Sequence, residues 1–250
     1  MNQITQNRVP HITILYWVIK IASTTLGETG ADLFSHTLNM GYLTTIIIFM
    51  SIFIFFLVLK LSIKKYNPTI YWLTFTSTAI VGTAISDFLD RTLGLGYLVG
   101  SSLLIVSLSL ILILWYKKEH SIAVDNIYTF HAELYYWLAF LVANTLGTAL
   151  GDYIADDVGL GFFNSAILIG GILIFIAILH YSTKISSILL FWLAFVLTRP
   201  FGASFGDLLT KTQAEGGLNL GTMGASLVFC IILFFAIIYE TKLENKRNIT

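Results

Sequence analysis

The chain reads as an all-α integral membrane protein. Eight transmembrane helices form four tandem helical hairpins in a pseudo-four-fold arrangement, with the odd-numbered helices inside. Three observations predict this. Hydrophobic residues make up 56% of the 250 residues and charged residues only 11%, against roughly 25% charged in soluble domains. Trp17, Trp72, Trp137 and Trp192 each follow a Tyr or Phe, at spacings of 55, 65 and 55. Each is followed ten residues later by a glycine (Gly27, Gly82, Gly147, Gly202) and fifteen later by an aspartate (Asp32, Asp87, Asp152, Asp207). A period of this size marks one supersecondary unit used several times. A single membrane domain over 1–250 follows, with repeats at 11–65, 66–120, 131–185 and 186–242.

The spans come next. Each repeat holds two apolar runs of about 20 residues, enough to cross about 30 Å of hydrocarbon as helix. They fall at roughly 13–34 and 41–62, 69–90 and 96–116, 133–155 and 160–181, 187–209 and 219–240. Gly41, Gly96 and Gly161, each 24 residues past a tryptophan, and Gly221 in the lengthened fourth repeat, read as turn and helix-start signals. The first span carries the repeat pattern itself, so no cleaved signal peptide is expected. The connection from Lys117 to Glu133 is about ten residues longer than its counterparts and has no readable role. Cys230 lies in an apolar run and reads as a buried, space-filling thiol.

Charge sets the orientation. Connections between repeats and the two ends hold Arg8, Lys60, Lys64, Lys65, Lys117, Lys118, Lys184, Lys242, Lys246 and Arg247. The loops within hairpins hold only Arg91 and Lys211, beside Asp90, Asp156, Asp157 and Glu215. The positive-inside rule then places both termini in the cytoplasm, an acidic mouth outside, and the Tyr-Trp pairs in the inner aromatic belt. With two helices per repeat, all four repeats enter the membrane in one direction, about an axis along its normal.

The first helix of each repeat is the polar one. Positions 3, 7, 11 and 15 after the tryptophan fall on one stripe at 100° per residue. The stripe reads Lys20, Thr24, Glu28, Asp32, then Phe75, Ala79, Thr83, Asp87, then Phe140, Asn144, Thr148, Asp152, and finally Phe195, Arg199, Ala203, Asp207. Charges within spans face the bundle interior or a water-filled cavity. Asp32, Asp87, Asp152, Asp207 and Glu28 are therefore candidate ion or metal ligands, with Asn144, Thr83 and Thr148 as further oxygen donors for a hard cation such as magnesium, calcium or manganese. Lys20 and Arg199 are candidate counter-ions, and Pro200 a candidate kink or gate. His36 near the outer end could join a transition-metal site. Structural readings stand beside these. The aspartates could simply cap helix ends, and the small residues four apart (Gly27/Ala31, Gly82/Ser86, Gly147/Gly151, Gly202/Gly206) could serve only close packing.

The repeats, for example Tyr136-Trp137-Leu138-Ala139-Phe140 and then Gly147-Thr148-Ala149-Leu150-Gly151-Asp152, resemble a family of bacterial membrane proteins. That family is built from four tandem two-helix repeats of unknown function, one tryptophan in each. The resemblance covers nearly the whole chain. It implies a multi-pass protein of the bacterial inner membrane and brings no activity with it.

The expected function is secondary transport of a cation, chiefly a divalent metal and coupled in one version to protons, through a ring of intramembrane carboxylates. A non-transporting scaffold or sensor, or a carrier of a small anion or organic solute using Lys20 and Arg199, is the alternative. No Ser-His, Cys-His or HExxH arrangement points to an enzyme, and no cofactor is expected beyond the cation as cargo. The partners are the lipid bilayer and a small ion or solute. A net charge of zero gives no reason to expect nucleic acid, and a homo-oligomer is compatible with the sequence.

Overall fold

The computed structural model describes residues 8–63, 65–124 and 127–247. Lys64, counted above among the cytoplasmic charges, lies outside them. Among the described residues there are eight α-helices and no strand: α1 Ile14–Asp32, α2 Gly41–Ser62, α3 Pro68–Asp87, α4 Gly96–Glu119, α5 Phe130–Asp152, α6 Gly161–Ser182, α7 Ser187–Thr210 and α8 Thr222–Arg247.

Two local devices, each used four times, set the boundaries. Every odd helix starts on a side-chain cap. Thr13, Asn67, Thr129 and Ser186 accept from the backbone N–H three residues on, which satisfies one of the free donors of the first turn. Every even helix starts on a left-handed glycine, with φ of 73° at Gly41, 71° at Gly96, 70° at Gly161 and 75° at Gly221. Two residues earlier stands a second left-handed residue: Asn39, Gly94, Gly159 and Asn219. Glycine and asparagine tolerate that conformation best. After Asp32, Asp87 and Asp152 the helix widens into a five-residue π turn. α7 instead continues to Thr210 and is followed by a short 3₁₀ turn at Gln213–Glu215.

The four odd helices contact one another cyclically: α1 packs on α3 and α7, and α5 packs on α3 and α7. The glycine ten residues past each tryptophan makes this approach possible. A Cβ on Gly27 would stand 2.6 Å from the Ala79 Cβ, one on Gly82 2.9 Å from the Asn144 Cβ, and one on Gly202 2.5 Å from the Thr24 Oγ1. Gly147 is pressed in the same way against Arg199 and Pro200. Each glycine thus receives the residue seven past the tryptophan of the next repeat, and the fourth repeat returns to the first. The packing reading of the small residues is met here as the small-residue contact that lets helices close without a water-driven hydrophobic effect.

The even helices sit outside this group, but not in the pairs expected. A hairpin would place α2 against α1. Instead α2 packs on α3, α4 on α5, α6 on α7, and α8 on α1. Each second helix covers the first helix of the following repeat, and α8 joins the end of the chain to its beginning. No repeat is therefore a self-contained hairpin.

Polarity is inverted relative to a soluble protein. Lys20, Glu28, the four repeat aspartates, Asn144 and Arg199 are buried, whereas Leu43, Phe55, Val106, Phe163, Ile174 and Phe235 of the even helices are exposed. Among the described residues, six helices or helix-plus-turn segments are long and apolar enough to cross a membrane: α2, α4, Phe130–Asp157, α6, α7 and α8. α1 and α3 are not among them, because Lys20, Glu28 and Asp32 in α1 and the threonines and serines of α3 lower their hydropathy. Those polar groups face other helices, so the helices that look least suited to lipid are the best shielded.

Three further expectations are corrected. Trp72, Trp137 and Trp192 are not an interfacial belt. They are buried, and Tyr16 stacks obliquely on Trp72 and Tyr71 on Trp137, with centroids 5.6 and 5.3 Å apart. The aromatic pair is an inter-repeat contact, which explains its recurrence better than lipid headgroups do. Cys230 is exposed on α8 rather than buried. Asp90 is buried rather than part of an open mouth, with its carboxylate packed on Gly100 and bonded by Ser86.

The long connection now has a place. Val124 and Ile127 are buried with Val9 at the tryptophan end of the bundle, the Arg8 N–H donates to the Ile127 carbonyl, and the Trp192 indole N–H donates to the Ile122 carbonyl. Buried Glu133 ties this cap down by accepting from Arg8 at 2.7 Å and from Lys60. Residues 120–124 and 127–129, with Arg8 and Val9, thus lie over one end of the bundle.

Overpacking a close contact costs about 1–3 kcal/mol. Gly82→Ala should lower stability in detergent by that amount, measured by thermal unfolding. Gly171→Ala, where an added Cβ meets nothing within 4 Å, should leave it unchanged.

Candidate functional site

Along the odd helices the stripe forms layers, from the tryptophan end toward the aspartate end. The first, three residues past each tryptophan, is Lys20 with Phe75, Phe140 and Phe195. The Phe140 and Phe195 ring centroids are 3.9 Å apart, and Phe75 meets both edge-on. Lys20 takes the fourth place. Its Nζ lies 3.8 Å from the Phe195 centroid and donates to the Phe195 carbonyl at 2.9 Å and to the Thr198 hydroxyl. It has no carboxylate partner among the described residues, so the counter-ion role expected for Lys20 is not what the structure gives it. A carbonyl, a hydroxyl and an aromatic face meet the ammonium instead.

The next two layers hold one charge pair. Arg199 reaches from α7 across to α1, where Nη1 donates to the Thr24 carbonyl at 3.1 Å and Nη2 lies 3.1 Å from Glu28 Oε2 and also bonds Thr83 Oγ1. Of the carboxylates for which Arg199 is a candidate counter-ion, the structure gives it Glu28, and Thr83 joins the pair. Pro200 does not break α7, which runs on through it, and it packs against Gly147 and Gly151. Asn144 and Thr148 are not brought to the carboxylates. The Asn144 amide donates to Thr78 at 2.9 Å, and Thr148 turns back to the Asn144 carbonyl. The first bond joins α5 to α3, and the second stays within α5.

The four aspartates all lie buried at the far end, but they do not form a symmetric ring around free space. They are divided between two basic side chains that their position in the chain assigned to loops. Arg91 spans Asp87 and Asp152, at 3.4 and 3.0 Å. Lys211 spans Asp207 and Asp32, at 3.3 and 3.0 Å. Each lies four residues after the aspartate of its own repeat and reaches the aspartate of the next. Burial alone would lower the Lys211 pKa, but Asp207 and Asp32 outweigh it and hold the ammonium above the ordinary lysine range. The signal was available in the sequence. At nineteen past each tryptophan stand His36, Arg91, Asp156 and Lys211, one helical turn from the aspartates and on their face. Weighing them only as loop charges concealed it.

Among the described residues, two groups of side chains bring ligand atoms within 4.8 Å of one another: Glu28, Asp32 and Asp207, all buried, and Asp32, His36 and Asp87. Asp32 is common to both. Asp152, held by Arg91, is in neither. His36 is half-exposed, with Nε2 3.8 Å from Asp32 Oδ1 and 2.9 Å from the Tyr42 hydroxyl. Counted as ionised, five carboxylates face the three cations Arg199, Arg91 and Lys211, leaving an excess of two negative charges. The arrangement can accept a small hard cation on oxygen ligands or share protons among crowded carboxyls.

Comparison with known families matches this chain over residues 15–66, 70–121, 135–186 and 190–245 to a model described as "Repeat of Unknown Function (DUF347)". The four matches cover most of the chain, and the protein belongs to that family of four tandem repeats. Comparison with curated proteins and with solved structures gives no significant match.

Removing one member of a buried ion pair strands the other and costs about 3–5 kcal/mol, whereas removing both costs far less. Arg199→Met and Glu28→Gln should each lower the unfolding free energy by that order. The double variant should recover more than half of the loss in a double-mutant cycle.

Proposed function

We propose that this protein is a secondary transporter of a divalent cation, and not an enzyme. Its eight helices span the bilayer in four repeats about a pseudo-four-fold axis along the membrane normal, with both termini cytoplasmic and the aspartate end outward. The membrane is the bacterial inner membrane, the positive-inside rule sets the orientation, and the partners are lipid and a small ion. One observation carries the transport reading: Glu28, Asp32 and Asp207 converge, buried, in a bundle whose carboxylates exceed their basic partners by two charges. Charges held within a bilayer are costly and mark ion pathways by default. A divalent cation, or two protons, would cancel the excess.

Access supports a one-sided state. The side chains over the aspartates are partly open, His36 at 48%, Arg91 at 36% and Lys211 at 26%. The opposite end is covered by the Lys20–phenylalanine layer and by residues 120–124 and 127–129. Cargo would enter from the aspartate end, settle on Glu28, Asp32 and Asp207, and leave after the phenylalanine layer and cap separate. Glu28 would then exchange Arg199 for cargo, which gives the central pair a role in the change of access. Asp87 and Asp152 set the field from the far side of the bundle, with Arg91 fixed between them.

A non-transporting scaffold is the second reading. It is favoured by the same bridges, since Arg91 and Lys211 each join two repeats as a structural tie would. The two readings separate in proteoliposomes. Transport predicts saturable Mn²⁺ or Mg²⁺ flux that falls at least tenfold, or about 1.4 kcal/mol, in Asp32→Asn and Asp207→Asn with folding retained. Absent flux in the folded wild type, for every divalent ion tried, rejects transport and leaves the scaffold.

A further inference from the structure

The two bridging cations differ in kind. Arg91 belongs to the π turn Phe88–Thr92. Its guanidinium meets Asp87 through Nε and Asp152 through Nη2, and its central carbon lies 5.9 Å from the Tyr97 ring centroid. A planar group bonded at two edges and set over a ring gives up more contacts on moving than a single ammonium does. Lys211 offers a single rotatable ammonium to both Asp32 and Asp207.

Its backbone is also built differently. Repeats one to three place the left-handed glycine nine residues after the aspartate, and repeat four places it fourteen after. α7 ends at Thr210, and Lys211 is extended, with φ −66° and ψ 156°. The extra residues form a closed turn in which Glu215 accepts from the Thr212 N–H and hydroxyl at 3.0 and 2.7 Å, and those bonds hold the exposed Glu215 carboxyl below the ordinary glutamate range. The Lys211 carbonyl accepts from the Asn219 N–H at 2.9 Å, and the Leu218 N–H bonds the Leu208 carbonyl at 2.7 Å. The insertion anchors the Lys211 backbone over the site and leaves a four-carbon stem free to swing.

We propose that Lys211 is a tethered counter-ion that holds the Glu28–Asp32–Asp207 site between transport events and is displaced by a divalent cation, so that the site discriminates against singly charged ions. The inference rests on the transport reading above and names its cargo class and its gate. Asp32 and Asp207 belong to the group that would hold the ion and are also the two carboxylates that hold Lys211. Hard divalent ions need oxygens at about 2.0–2.6 Å, and oxygens already within 4.8 Å of one another leave no room for an ammonium between them as well. A sodium or potassium ion would exchange one positive charge for another and gain nothing. A divalent ion supplies one charge more than it expels, in a cluster whose three carboxylates face only Arg199 and Lys211 and so lack one. The displaced ammonium is strongly hydrated and already 26% exposed, so water lies within its reach.

The test is amine acylation of the purified full-length protein in detergent, with Lys211 labelling read by mass spectrometry against Lys117 as internal reference. Saturating Mn²⁺ should raise Lys211 labelling severalfold, and Na⁺ or K⁺ at matched ionic strength should not. By calorimetry, Lys211→Met should bind Mn²⁺ about tenfold more tightly than wild type, the equivalent of about 1.4 kcal/mol, while Arg91→Met should not gain affinity. Where Lys211→Met fails to fold, Lys211→Arg takes its place and should bind Mn²⁺ more weakly than wild type, because a two-edged group is harder to expel. Mn²⁺ binding with unchanged labelling and unchanged affinity in the Lys211 variant overturns the displacement and leaves the transport reading standing. Equal labelling with Na⁺ overturns the selectivity. Absence of Mn²⁺ binding in both wild type and variant removes the inference together with the reading on which it rests.

Discussion

An ionised side chain surrounded by hydrocarbon has to be met by an opposite charge, a hydrogen-bond acceptor or water, and this demand shapes the whole molecule. α1 alone carries Lys20, Glu28 and Asp32, which no lipid-facing helix could bear. They are tolerated because α3 and α7 supply Thr83, Phe195, Thr198 and Arg199 within reach, because Lys211 just past α7 meets Asp32, and because glycines let those helices come close. Even the exposed surface follows from this. With the polar faces turned toward one another, the apolar even helices are left to form the outside.

Covering each odd helix with the second helix of the preceding repeat adds a topological constraint. Were the repeats self-contained hairpins, they could come apart along the ring by parting the inner helices alone. Here every inner helix is held by an outer helix from another repeat, and α8 on α1 makes the last repeat part of the first. Movement between repeats must then carry the outer helix of one with the inner helix of the next. The packed units are pairs such as α2 with α3, joined through the left-handed turns between α1 and α2, α3 and α4, and their counterparts.

Much of this was legible in the sequence. Helix number, helix limits, the polar stripe, the inward face of the odd helices and the Arg199–Glu28 pair all follow from period, hydropathy and angular position, because those depend on local geometry that repeats. What escaped was the identity of partners. Nothing in a sequence tells whether α2 covers α1 or α3, since both lie at the end of a short connection. The Tyr-Trp pairs match an aromatic belt equally well as text, yet Trp72 and Trp137 are buried by tyrosines one repeat away. Arg91 and Lys211 were visible but assigned to loops, because the helical face was followed only as far as the aspartates. One further turn would have placed them beside the carboxylates of their own repeats. That they also reach the next repeat is knowable only once the helices are in contact.

Comparing the repeats separates what holds the fold from what gives it chemistry. Positions that agree in all four are the aromatic pair, the glycine, the aspartate and the left-handed turn, and three of these do the same structural job each time. Positions that disagree lie on the stripe: lysine against three phenylalanines, glutamate against threonine and alanine, arginine against threonine, alanine and asparagine, and the mixed set His36, Arg91, Asp156 and Lys211. The aspartates stand between the two classes. They recur like structural residues, yet their partners alternate, a guanidinium for one adjacent pair and an ammonium for the other. The cyclic packing of four is therefore reduced, in its charges, to two unlike halves. A symmetric set of carboxylates with symmetric partners would offer four equal and equally neutralised places. Each half carries one carboxylate more than its cations, but the geometry differs: Glu28, Asp32 and Asp207 converge on the lysine half, whereas Asp87 and Asp152 are bridged by one guanidinium.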